Sequence, residues 1–557
     1  MRDAGGTRER GRAAVMSLTL LACTALLGHR MLERRDQAAD SVHALASVSS
    51  CPIPSMADRA AEGGSDSVPM DCTHPSPSRS QAVLAMISRD EESGEDAPSL
   101  PTPPAPTEVR KPEPAKPEPP PQPPPLPTPV EAASAPSDAS VQPRRVRVRD
   151  EDGRVVVARV HGDETSGLVL LPDGRIGWPK GLAFTDEPFV IETPEDVADR
   201  LMQGPFRGFR LHKTAHYLVL YQGGEAFAVA SGQLLESLYD GLTAKLREKG
   251  LTVHEAEFPL VAIIFRNEAE FRAHAPVAED VQAYFNIATN QILLYEQSDR
   301  DRSAPDVEAR KRPQTVAHEG THQILQNIGL HPRLAPWPPW LVEGLAEYFA
   351  PTRLTSDGRW EGGNRINPFH MATLSDLQDP LSAQVRGPGQ PLLRVGHDPR
   401  QPVVEYLITK TDLSPTDYAL AWALTHFLAN KHFDAFLEYL KALSKLGPGA
   451  ERSKEQHLAD FRAAFGGDLA KLDRALARYL AGLKGYENLP YYAVSFEQPI
   501  GPGIARRAAM VSQSQAMIRQ WVDEVTTRDG GAPVWRATPF PTKTRARLAA
   551  ETWIRSR

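Results

Sequence analysis

Two short segments about twenty residues apart, TVAHEGTHQIL (315–325) and WLVEGLAEYF (340–349), restrict the folds open to this chain more than any other feature. The first places His318 and His322 at i and i+4, on one face of a helix, so two imidazoles can aim at one point. Glu319 stands beside that point, where a carboxylate suits a base acting on water. The second segment sets Glu343 and Glu347 one turn apart on a face of their own. Val316, Ala317, Ile324 and Leu325 give the first helix an apolar back, and Leu341, Leu345 and Phe349 do the same for the second. Pro338 and Pro339 can open the second helix, and Pro351 closes it. Two merely exposed carboxylates at that spacing repel by a few tenths of a kcal/mol. A nearby dication reverses that cost, so the chain must bring two helices together with their polar faces converging.

These residue types spell one chemistry. Catalytic zinc takes three protein ligands and keeps a fourth position open, and two His plus one Glu is a recurring set. The spacing therefore predicts one Zn2+ held by His318, His322 and Glu343, with Glu319 as general base toward the activated water. Ligand imidazoles normally give their second N–H to a carboxylate or carbonyl, and Glu347 is placed to accept it from His318.

HEGTHQIL followed by PPWLVEGLAEYF resembles the gluzincin, or peptidase-MA-like, superfamily of zinc metallopeptidases, and more narrowly the bacterial domain-of-unknown-function 1570 family. The resemblance extends from about 206 to 480. It includes AYFNIATNQILLY (283–295), YALAWALTHFL (418–428) and FGGDLAKLDRALARYL (465–480). It implies a small twisted sheet with the HExxH helix behind it and an edge strand forming one wall of the cleft. It also implies the same ligand set, the same base, and Glu347 orienting the first His. Gluzincins often use a Tyr or His of the C-terminal lobe to steady the tetrahedral oxyanion, which marks Tyr418 as a catalytic candidate and His426 as a lesser one. Tyr418, Trp422 and His426 recur at four-residue spacing, however, which equally describes a packed helix face. No amine-anchoring Gly-x-Met-x-Asn type motif is evident, which tilts the reading toward an endopeptidase.

The rest of the chain gives this site a setting. Of its 51 prolines a dense run fills 97–143, a segment with little to bury and a preference for extended conformations. Residues 31–144 read as a disordered linker. Ahead of it, four arginines between Arg2 and Arg12 precede the apolar stretch 13–28. That pattern, within residues 1–30, reads as an uncleaved signal anchor in preference to a cleaved signal or a lipoprotein at Cys23. The expected place of the site is therefore membrane-anchored or exported, outside the cytoplasm, in a bacterial envelope. The only cysteines are Cys23, Cys51 and Cys72, so none is available to ligate zinc in the globular part.

Residues 145–192 alternate β-rich runs with Asp-Gly turns and read as a small β-module. Arg145, Arg147 and Arg149 line one face of its first strand and read as solvated. In 193–350, strand (216–222), helix (231–249), strand (258–265), helix (267–274) and strand (290–295) lead into the HExxH helix, an α+β lobe. Residues 351–484 read as loops and a helical C-terminal lobe with segments 413–428 and 433–443. Residues 485–557 are an arginine-richer extension, either loosely attached or facing a partner. His212 and His216 stand four apart at a strand entrance without a carboxylate partner and read as structural or solvated. Trp337 and Trp340 read as packing beside the second helix.

The net charge of −7, mixed along the chain, offers no basic stripe for nucleic acid. The partners expected are a peptide or protein substrate and, through the N-terminal segment, a membrane; the oligomeric state is open. Two functions fit these observations. One is a membrane-tethered zinc peptidase; the other is a non-catalytic gluzincin-fold binding or scaffolding protein of the envelope. A binding module has no need of Glu319, which favours the first.

Overall fold

The computed structural model describes residues 144–556 apart from 163–166, 180, 276, 279–280, 356–359, 380 and 382–400. The expected anchor, the three cysteines and the linker up to 143 lie outside the described residues. Among the described residues, no helix is long and apolar enough to cross a membrane. The architecture is mixed α+β, built on small sheets.

The β-module is an antiparallel sheet of β1 (Arg145–Arg149), β2 (Val155–Val160), β3 (Val169–Leu170), β4 (Ile176–Gly177) and β5 (Ala183–Phe184), in the order β4-β3-β2-β1-β5. Its turns use Gly153 and Gly174, both at positive φ after an Asp, the conformation glycine adopts without a Cβ penalty. Val146, Val148, Ala158, Val160 and Val169 fill one face, as the period-two pattern requires. Arg147 on the other face pairs with Glu187 rather than standing free. The module is fastened to the following lobe by an Arg159–Glu257 pair and by a backbone bond from Ile176 to Ala288.

The central sheet has the order β6-β7-β8-β10-β9. Its elements are α1 (Pro194–Gln203), β6 (Arg210–Lys213), β7 (Tyr217–Tyr221), α2 (Glu225–Glu248), β8 (Leu260–Asn267), α3 (Glu268–His274), β9 (Ala283–Asn286) and β10 (Gln291–Gln297). β7, β8 and β10 run parallel, and β6 and β9 are antiparallel edges. Both faces are covered, which is why LVLY and LVAIIF are unbroken apolar runs. Val219, Ala262, Ile264 and Ile292 meet α2 on one face, and Leu218, Val261, Ile263 and Leu293 pack with Phe206 and Phe271 on the other.

Two helices follow, α4 (Asp299–Ser303) and α5 (Pro305–Asn327), and α5 packs against α2 on the sheet's first face. Next come α6 (Pro339–Phe349), a short β11 (Arg353–Leu354) and β12 (Trp360–Glu361) ribbon, and α7 (Pro368–Gln378). The helical lobe continues with α8 (Val403–Ile408), α9 (Pro415–Lys431), α10 (Phe433–Leu443), α11 (Lys454–Phe465) and α12 (Leu469–Gly482). From Ala419 to Leu428 every residue of α9 is buried, so this helix runs through the middle of the lobe. Ser414 and Asp417 form a capping box at its start, which fixes the turn carrying Tyr418.

The loop after α5 carries a buried histidine. His331 stacks on Trp337 with centroids 4.4 Å apart, and burial lowers its pKa to about 4. The unfolded chain binds this proton at about 6.5, so between those values the unfolded state holds more protons. Stability is thus complete above pH 6.5 and falls as pH drops toward 4. Denaturant unfolding at pH 7.5 and 4.5 is expected to show wild type losing about 2–3 kcal/mol more than His331→Phe.

The extension beyond 485 is folded. It forms a sheet of order β14-β13-β15 from β13 (Tyr491–Gly501), β14 (Ile504–Ser512) and β15 (Val534–Phe540), with α13 (Gln515–Val525) and α14 (Lys543–Arg555). It is not loosely attached. The hydroxyl of Ser514 and the backbone N–H of Gln515, at the start of α13, donate to Asp306 in the first turn of α5. At the start of α14, Thr542 and Arg545 donate to Asp379, and the Thr544 N–H donates to Asp376. Three buried or half-buried carboxylates thus receive the starts of both helices of the unit, a favourable place for negative charge.

Candidate metal centre

The site lies where α5, α6 and α9 meet. The seating of α5 and α6 on their neighbours depends on glycine beside the functional residues. A Cβ on Gly320 would come within 2.6 Å of Leu235 and 3.0 Å of Leu238 on α2. A Cβ on Gly344 would come within 2.8 Å of the Ala421 carbonyl oxygen and collide with the Thr425 hydroxyl on α9. Gly320 thus lets α5 seat closely on α2, and Gly344 lets α6 seat closely on α9.

The convergence is tight. His318 Nε2 lies 3.1 Å from His322 Nε2 and 3.2 Å from Glu343 Oε2, and His322 Nε2 lies 3.4 Å from the same oxygen. On its other side His318 Nδ1 is 3.3 Å from Glu347 Oε1. With its Nδ1–H given to Glu347, a neutral His318 turns the Nε2 lone pair toward the lone pairs of His322 and Glu343. Three acceptors facing one point call for a cation between them; a proton on His318 supplies that charge in the metal-free cluster, and a bound metal ion would take its place. Tetrahedral zinc with ligands at about 2.0–2.2 Å spaces its ligand atoms by roughly 3.3–3.6 Å, close to what is observed. Two imidazoles and a carboxylate suit zinc better than the all-oxygen shells of calcium or magnesium. The residues present fit the ion.

Electrostatics among the protein groups follow from burial and mutual contact. Burial pushes Glu343 up, but His322 and His318 hold it far below the usual carboxylate range. Glu347 is likewise opposed by burial and held far down by His370 and His318. Burial works to lower His318, and hydrogen bonds to Glu343 and Glu347 overcome it and raise the group well above 6.5. Glu319 has the opposite outcome: burial, reinforced by the charge of Glu343, raises it despite both histidines. The backbone of Phe285 on β9 works to lower it, and β9 packs against α5, so the sheet's edge strand lies beside the base.

Tyr418 reaches the cluster. Its ring centroid is 6.4 Å from that of His318, and the charge of Glu343 acts on its hydroxyl more strongly than that of any other group. The charges of Glu343, then burial, then Glu319 and Glu347, push its pKa well above 10, which keeps the phenol protonated and able to donate. His426 does not join the site: it is buried with Tyr479 Oη 2.7 Å from its Nδ1. Trp337 gives its N–H to the Leu443 carbonyl oxygen, and Trp340 is fully buried against Tyr439 and Phe461; both pack.

One expectation needs correction. His216 has a carboxylate partner: its Nδ1 pairs with Glu236, which also accepts the His216 N–H and the Thr214 hydroxyl. The partner comes from α2, twenty residues downstream, where sequence neighbours give no hint of it. The ring stacks on Tyr239 at 3.9 Å, so the pair is knit into the surface of the lobe. His216, Glu236 and Asp240 are the other grouping, among the described residues, with ligand atoms close enough for a metal; Asp240 is exposed.

Two residues of the site went unread in the sequence. His370 Nε2 lies 2.7 Å from Glu347 Oε2, and Asn367 Nδ2 donates to the same oxygen at 3.4 Å. The one local signal was the Asn-Pro start of a helix at 367–368, which places His370 in its first turn.

Residues 313–449, about a quarter of the chain, match the family described as "Protein of unknown function (DUF1570)". The match is narrower than the expected 206–480 span. It takes in His318, Glu319, His322, Glu343, Glu347, His370 and Tyr418, and it ends before the C-terminal unit. No curated protein matches the chain.

Proposed function

We propose that this chain is a zinc-dependent peptidase of the gluzincin type, tethered outside the cytoplasm by the apolar segment 13–28 and the proline-rich linker. The observation that carries this reading is the meeting of His318 Nε2, His322 Nε2 and Glu343 Oε2 within 3.4 Å, with the buried Glu319 beside them. His318, His322 and Glu343 would hold the ion, and Glu347 would orient His318. Bound zinc supplies a Lewis acid that acidifies water and polarises a carbonyl.

The chain's own groups supply the rest. Glu319 takes the proton from the attacking water and returns it to the departing amine. Its raised pKa brings it closer to neutrality, where a group that must both accept and release a proton works best. Tyr418, kept protonated, donates its phenolic hydrogen to the oxygen that gains charge as the carbonyl becomes tetrahedral. β9 borders the base and offers an open strand edge along which an extended peptide can lie. A pure binding module would need neither a buried base beside the ligand atoms nor a phenol near His318.

The direct test is to incubate the zinc-supplemented full chain with a diverse peptide mixture and map new termini by mass spectrometry. Cleavage that is abolished by a chelator and restored by zinc supports the reading. A protein that holds zinc yet cuts nothing above background defeats it. For Tyr418→Phe, steady-state kinetics on a cleaved peptide should show kcat lowered by about 10²-fold with KM and zinc affinity little changed.

A further inference from the structure

Glu347 does more than face His318. Its Oε1 takes His318 Nδ1, while its Oε2 is held by His370 Nε2 at 2.7 Å and by Asn367 Nδ2 at 3.4 Å. Asn367 is buried and also caps α7, its Oδ1 accepting the Phe369 and His370 N–H groups. His370 in turn lies over Trp422 of α9, centroids 5.8 Å apart, one turn beyond Tyr418. At the other end of α7, the buried Asp379 is gripped by Thr542 and Arg545 of the C-terminal unit, and Asp376 by Thr544. The helix is therefore fixed at both ends, and its first turn is what sets the Glu347 carboxylate.

Resting on the zinc reading of the site, we propose that His370 is a positioning residue for the metal. By donating its Nε2–H to Glu347, it holds that carboxylate in the one rotamer that can accept the Nδ1–H of His318. A carboxylate free to turn away would let His318 change tautomer and present N–H, not a lone pair, toward His322 and Glu343. The path to the metal runs through Glu347, the carboxylate to which His370 is hydrogen-bonded.

The test measures zinc dissociation constants of the full chain at one pH by competition with a chromophoric chelator, with apoprotein melting recorded alongside. His370→Ala should weaken zinc about 10- to 100-fold, the range seen when such outer partners are removed. His370→Gln, which restores an N–H donor, should recover most of that loss and serves also if the alanine variant folds poorly. In the double variant with Glu347→Ala, His370→Ala should add little, since its path to the metal is already cut. An unchanged zinc constant in His370→Ala, or losses that add fully in the double variant, overturns the proposal while leaving the zinc site standing. Wild-type protein that binds no zinc overturns both.

Discussion

Replacing Glu319 by glutamine is expected to leave zinc bound and to lower kcat for peptide hydrolysis by about 10³- to 10⁴-fold, the upper part of the range for a positioned acid–base group. Glutamine preserves shape and can accept a hydrogen bond, but it cannot take a proton. The loss should fall near the top of the range because Glu319 is buried, so bulk solvent is poorly placed to take the proton in its stead. The variant should keep its zinc, since Glu319 is on neither of the faces that meet at the ligand atoms. Zinc content and single-turnover kinetics of both proteins check this. A variant that retains more than a tenth of wild-type kcat would remove Glu319 from the role of base.

The second large effect concerns Glu343. Apparent zinc binding energies of about 10–16 kcal/mol, shared among a few ligands, put each near 3–4 kcal/mol, or a factor of roughly 10²–10³ in affinity. Glu343→Ala should therefore weaken zinc by about 10³-fold in a chelator competition. The same change leaves His318 and His322, whose nitrogens are 3.1 Å apart, without the carboxylate that now faces both. Glu343→Gln separates the two contributions: it keeps an oxygen donor but no charge, and should fall between alanine and wild type. Equal affinity in all three proteins would take Glu343 out of the ligand set.

The helical spacing of His318, His322, Glu343 and Glu347 was legible because i, i+4 geometry is local and both helices carry their own apolar backs and stop signals. Pro338 and Pro339 mark the start of α6, and β7, α2, β8, α3 and β10 follow from runs of one period at a time, whereas α1, β6, β9 and α4 are too short or too polar to stand out. What stayed hidden depends on contacts between residues far apart in the chain. His370 gains a role only when α7 folds back on α6, and nothing between 350 and 367 fixes that return in the sequence. The C-terminal unit was unread for a different reason. β14 reads IARRAAMVS, with small and charged residues where a strand signal needs alternating bulk, and its attachments at Asp306, Asp376 and Asp379 lie some 160 to 210 residues away. His216 misled in the same way, since its carboxylate arrives from the neighbouring helix. Tyr418 was ambiguous because one buried helix can pack most of its length and still turn a single phenol to the site.

The measurement closest to the centre of these claims is a crystal structure of the zinc-supplemented chain, with diffraction recorded on both sides of the zinc absorption edge. The expected result is one strong anomalous peak about 2.0–2.2 Å from His318 Nε2, His322 Nε2 and Glu343 Oε2. No peak there, or zinc held instead by His216, Glu236 and Asp240, would contradict the assignment.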